Sequence, residues 1–208
     1  PFLRMYDAAA YTMAMQMGVA AVRVEEPFDV SLTRLTDVPS LTIASPDQAS
    51  DWYALSPEVN QSYRVANDLM EAGFTVHRSD GAVTLGGQNV RGVFLVPTGQ
   101  AGLETALENL AVGVPVFSDP PDVENTRRIE ASRIGLYRGF AGSMDEGWTR
   151  LLLEEFGFSF ESLSNEDVRD PDLRGRLDVI MIPSEISVER LVDGHDEEDM
   201  PAAYAGGI

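Results

Sequence analysis

The chain contains no cysteine and no lysine. Without cysteine there is no disulfide, no thiolate zinc site and no cysteine nucleophile. Without lysine, all 15 basic residues are arginine, which stays charged and grips carboxylates with a planar fork. Histidine is nearly missing, at 2 residues in 208. No apolar run reaches the roughly 18–20 residues of a membrane-spanning helix. Positive charge is scarce as well: 34 acidic residues leave a net charge of −19. Phosphate backbones would be repelled, which argues against nucleic acid as a partner.

What remains has the make-up of a globular protein, 44% hydrophobic and 24% charged. A chain of this size buries a core without metal or disulfide. It starts at Pro1 with no methionine and no signal peptide, which predicts an internal fragment or a processed product.

Residues 1–50 are expected to hold an N-terminal helix and an irregular β connection. Residues 5–18 are Met-rich and apolar nearly all round, with Asp7 to cap the helix and Gly18 to end it. Residues 19–50 read as short β-like stretches broken by Pro27, Pro39 and Pro46. Residues 51–118 form a first α/β unit. It runs from the strand Trp52–Leu55 to a helix within 57–73 that turns Tyr63, Val65, Ala66, Leu69 and Met70 inward. Strand 74–77 follows, then a hairpin from 81–85 turning at 86–89, the buried strand 93–96, helix 100–112 and strand 114–117. Residues 119–132, with Pro120 and Pro121, read as a linker. The second unit, 133–208, holds strand Ile134–Tyr137, helix 144–156, strand 158–163, a polar connection 165–176 with one helical turn, and a fully buried strand 179–182.

This alternation predicts an α/β fold of mostly parallel sheets flanked by helices. A parallel sheet needs a crossover to continue past 179–182. None appears before Ile208, so the second unit is expected to be truncated at its C-terminus.

The densest candidate site is the strand–loop–helix segment 135–150. In open α/β sheets ligands bind beyond the carboxyl ends of strands, where this loop falls. On that reading Arg138 anchors an anion, Asp145, Glu146 and Trp148 line a polar pocket, and Ser143 and Arg150 complete the ligand-binding set. A structural reading fits the same residues. Ser143-x-x-Glu146 is a capping box, Asp145 and Glu146 suit the helix dipole, and Trp148, Leu151 and Leu152 have the spacing of a packed face. The loop has no Gly-x-Gly-x-x-Gly, no Gly-Lys-Ser/Thr and no Gly-x-Ser-x-Gly, so neither nucleotide binding nor an α/β-hydrolase nucleophile is indicated. His77 reads as a structural or surface residue. His195-Asp-Glu-Glu198 spells a His-x-x-Glu spacing, but inside the acidic run 193–199, and a zinc site needs three protein ligands. No catalytic or metal-binding residue is assigned.

Arg133-Ile-Gly-Leu-Tyr-Arg138 followed by Ser143-Met-Asp-Glu-Gly-Trp-Thr-Arg150 resembles the C-terminal region of large bacterial zinc carboxypeptidases, relatives of carboxypeptidase A. Tyr6-Asp7-x-x-x-Tyr11-Thr12, Gln16-Met-Gly-Val19, Leu177-Asp-Val-Ile-Met-Ile-Pro183 and Tyr204-x-Gly206-Gly207-Ile208 extend the resemblance along the chain. It implies a flavodoxin-like, class I glutamine amidotransferase-like fold for this region. It also implies an upstream peptidase domain of the same polypeptide, which carries the zinc, and a secreted or periplasmic location. The family's zinc motif, a His-x-x-Glu pair with a distant histidine, does not map here, and the amidotransferase cysteine is missing.

Three functions are then open. The chain is a non-catalytic accessory domain that supports or presents substrate to the peptidase domain, or a small-molecule or glycan-binding module using 138–150. The third is a hydrolase using Asp145 and Glu146, which adjacent helical positions separate by about 100°.

Overall fold

A computed structural model of the chain describes residues 22–34, 36, 51–118, 120, 123–184, 187–196 and 198–208. The helix expected over 5–18 lies outside the described residues. Residues 22–34, read as β-like, carry no strand and are exposed throughout. Pro27 cannot donate to a ladder, and Glu25, Glu26 and Asp29 keep the stretch hydrated.

The chain is mixed α/β and divides into two compact units, 1–62 with 77–127 and 63–76 with 128–208. Its first elements are β1 (Trp52–Leu55), α1 (Gln61–Glu71), β2 (Val76–Ser79), β3 (Ala82–Leu85), β4 (Gln88–Arg91), β5 (Phe94–Pro97), α2 (Leu103–Leu110), β6 (Val116–Ser118) and β7 (Thr126–Ile129). Five of these strands make one sheet in the order β6-β1-β5-β2-β7. β1 runs antiparallel to β5, with Tyr53 opposite Val96, and to β6, with Ala54 opposite Phe117. β2 runs antiparallel to β5, with His77 opposite Leu95. The parallel sheet expected here is therefore corrected to an antiparallel one.

Connectivity explains the difference. Strands joined by a helix are parallel, β1 with β2 and β5 with β6, but a strand of opposite sense splits each pair. This is the split βαβ pattern. The β3–β4 hairpin between β2 and β5 lets the chain return antiparallel. Its turn is two residues, with Leu85 opposite Gln88 across Gly86 (φ 56°) and Gly87 (φ 84°). Positive φ at both turn positions matches the natural twist of the two strands. Val83, Leu85 and Val90 of the hairpin pack with Ala54, Val93 and Leu95. β7 falls in the stretch expected to be a linker, because the two prolines that suggested one precede it.

Helix α1 ends at Gly73 (φ 87°), where Phe74 N–H reaches the Leu69 carbonyl at 2.9 Å and Gly73 N–H reaches Met70 at 3.0 Å. Paired bonds of this kind around a left-handed residue satisfy the last carbonyls of a helix.

The second unit holds β8 (Ile134–Tyr137), α3 (Met144–Glu155), β9 (Phe160–Leu163), α4 (Asn165–Val168), α5 (Leu173–Arg176), β10 (Val179–Met181) and α6 (Val188–Val192). Its sheet is parallel, in the order β10-β8-β9. All four residues of the central strand β8 are buried, and Ile134 and Leu136 pack against Leu153 of α3. Gly135 has no room for a side chain: a Cβ there would lie 2.6 Å from Leu177 Cδ1 and closer still to Leu163. The connection 165–176 holds two helical turns rather than one. Strand β10, expected to be fully buried, is exposed along its length. It has β8 on one side and is an edge strand among the described residues, so its apolar composition misleads. Arg133 clasps the start of β10 to that of β8, with its guanidinium 2.7 Å from Asp178 Oδ1 and its backbone N–H 2.9 Å from Oδ2. From α1, Arg64 donates to the Glu155 carbonyl at 3.0 Å and Asn67 to the Phe156 carbonyl at 2.8 Å, closing the end of α3.

Candidate functional site

From β8 the chain turns to one side to form β9, then crosses to the other side to form β10. Where a parallel sheet reverses its winding, the loops leaving the carboxyl ends diverge and open a crevice. A cavity of about 330 Å³ lies there. It is lined by residues 139–143 after β8, by Asn165 just after β9, and by Arg190, His195 and Tyr204 from the segment after β10.

The cavity rests on a hydrogen-bonded chain. The hydroxyl of Tyr137, the last residue of β8, donates to Asn165 Oδ1 at 2.6 Å, and Asn165 Nδ2 donates to the Gly206 carbonyl at 2.5 Å. Burial pushes the Tyr137 phenol above its ordinary pKa, and the nearby Tyr204 phenol adds to the shift. Arg169 holds the Ala205 carbonyl at 3.0 Å and that of Gly207 at 2.5 Å. Glycine is required in this tail, because a Cβ on Gly207 would overlap the Val192 carbonyl. Asn165 is fixed in turn by a capping box, in which Ser164 and Asp167 satisfy one another's backbone N–H groups. The hydrogen bonds from the Ser164 hydroxyl and backbone lower the Asp167 pKa. Phe140 tilts against Tyr204 with ring centroids 5.7 Å apart.

Of the residues singled out in 138–150, Ser143 lines this cavity. Its hydroxyl accepts from Glu146 N–H at 3.2 Å, as the first half of the expected cap. The Glu146 carboxylate pairs with Arg150, which also donates to Ser162 at 2.8 Å and lies 5.1 Å over the Phe160 ring. These two residues brace α3 against β9. Asp145 accepts from the Ser184 hydroxyl at 2.5 Å. Arg138 is exposed, and its backbone N–H continues the ladder to the Leu163 carbonyl at 2.9 Å. Trp148 is 63% exposed, in a stripe with Met144, Leu151 and Leu152 rather than on a packed face. The α3 residue that packs is Leu153.

Sequence reasoning missed Tyr137, Asn165, Arg190 and Tyr204, and left His195 in a solvated loop. Tyr137 and Asn165 sit at strand ends, and that position was the available signal. The His77 ring packs edge-on to Trp52 at 5.2 Å, with Nδ1 3.2 Å from the Thr126 hydroxyl. Among the described residues no group of three or more metal-binding side chains occurs, and no helix is long and apolar enough to cross a membrane.

No family model, curated protein or solved structure matches the chain.

Proposed function

We propose that the second unit is a small-molecule-binding module whose site is the cavity at the carboxyl ends of β8 and β9. One observation carries this reading: loops that follow all three strands converge on a single cavity at the point where the sheet reverses. Its volume of about 330 Å³ falls in the range of small-ligand sites. The strand order β9-β8-β10 is that of the first three strands of a flavodoxin-like sheet, which supports a flavodoxin- or amidotransferase-like reading of this unit. Amide-shift mapping by NMR with a library of small fragments tests the proposal. Shifts should cluster on residues 139–143, Asn165, Arg190 and His195. A library that moves none of them overturns it.

A second reading is favoured by the exposed apolar stripe Met144, Trp148, Leu151 and Leu152 and by the exposed strand β10. Contiguous apolar surface of this kind marks contact with another protein surface. On this reading the chain is a non-catalytic accessory region of a secreted or periplasmic zinc carboxypeptidase-like protein, and the stripe faces the zinc-bearing peptidase domain. Zinc-dependent peptidase turnover by the isolated chain would overturn it.

A further inference from the structure

We infer that the ligand of the β8–β9 cavity is a small monoanionic carboxylate bearing an apolar or aromatic group, an inference that rests on the small-molecule reading of that cavity. The observation behind it is a local reversal of charge. The chain carries 34 acidic residues against 15 basic ones. Yet among the described residues no Asp or Glu lines this cavity, while Arg190 and His195 both do. Three other cavities of the same unit all mix the two signs. One sets Arg128 among Glu71 and Glu130, another Glu161 beside Arg133 and Arg176, and the last Arg174 among Asp170 and Asp178. Of those arginines, Arg133 pairs with Asp178, and Arg176 with Glu161 and Asp170. Arg190 makes no ion pair among the described residues.

Arg190 is exposed where it lines a partly apolar recess, and an arginine fork suits a carboxylate, which it binds through two parallel hydrogen bonds. The net charge of −19 opposes entry of a polyanion. Asp145 and Glu146, in the first turn of α3 beside Ser143, disfavour a second negative charge. Phe140, Ala141 and Met200 supply the apolar part of the lining. A monoanion with an apolar body satisfies all three conditions.

The test is calorimetric titration of the full chain with phenylacetate, its neutral isostere phenylacetamide, and inorganic phosphate. Phenylacetate should bind about tenfold or more tighter than the amide, the scale of one charge-assisted hydrogen bond. The variant R190Q should lose that advantage while its thermal unfolding stays unchanged. Equal binding of acid and amide by the wild type overturns the inference and leaves the binding site standing. Phosphate binding tighter than phenylacetate overturns the carboxylate assignment. Absence of binding by all three overturns the inference, and the fragment mapping then judges the small-molecule reading on its own.

Discussion

The Tyr137 hydroxyl donates to the Asn165 side chain at 2.6 Å, which joins the end of the central strand β8 to the first residue of α4. Asn165 then donates to the Gly206 carbonyl, so one buried amide ties β8, α4 and the glycine tail together. The cavity's shape depends on this link, because residues after each of the three strands meet around it.

Removing the link should cost stability. Asn165→Ala leaves the Gly206 carbonyl and the Tyr137 hydroxyl without this partner, at about 1–3 kcal/mol for buried groups that lose their hydrogen bonds. Tyr137→Phe keeps the ring and should cost less, about 1 kcal/mol. Urea unfolding of the two variants beside the wild type measures both. Equal stability of all three would show that the link is incidental.

Gly135 offers a packing test. Its missing side chain makes room for Leu163 and Leu177. Gly135→Ala should destabilise the fold by about 1–3 kcal/mol through overpacking in the middle of β8. Gly175, where a Cβ would meet nothing within 4 Å, is the control. A Gly135→Ala protein as stable as the control variant would contradict the packing described for β8.

The Arg133–Asp178 clasp predicts a pH signature. Hydrogen bonds from the Arg133 side chain, then from its backbone, hold the Asp178 carboxyl at about 2, below its ordinary 3.8. A folded-state pKa below the unfolded one contributes stability above the unfolded value and loses it as pH falls. The difference in thermal stability between wild type and Asp178→Asn should therefore be constant above about pH 4 and shrink as pH falls toward about 2. A difference independent of pH over that window would contradict the clasp.

Much of the local structure was legible in the sequence, because it is set by neighbours in the chain. Gly73 ends α1 and Ser143 caps α3, each from residues within a few positions, whereas the hairpin turn expected over 86–89 narrows to Gly86-Gly87, with Gln88–Arg91 forming β4. Strand direction in the first unit was not legible. Helices alternating with strands predict parallel pairs, and these exist, but interleaving depends on where the hairpin sends β5. The exposure of β10 was hidden for a similar reason: Val179-Ile180-Met181 reads as buried in any sequence, and an edge position shows only in the assembled sheet. The cavity was half legible. The loop after β8 was singled out for its place beyond a strand end, yet its neighbours come from an acidic run and a glycine tail. Their composition reads as solvated chain until Asn165 and Arg169 pull the tail back onto the sheet.

The most direct test fills the cavity. Gly142 lines it, and a Cβ there would meet nothing within 4 Å, which leaves room for a larger side chain at that position. Amide shifts induced by the fragment library should be compared between the wild type and Gly142→Trp. The account predicts shifts clustered on residues 139–143, Asn165, Arg190 and His195 in the wild type. In the variant they should be lost, with its thermal unfolding unchanged. Shifts that persist in Gly142→Trp, or that fall elsewhere on the chain in the wild type, would contradict it.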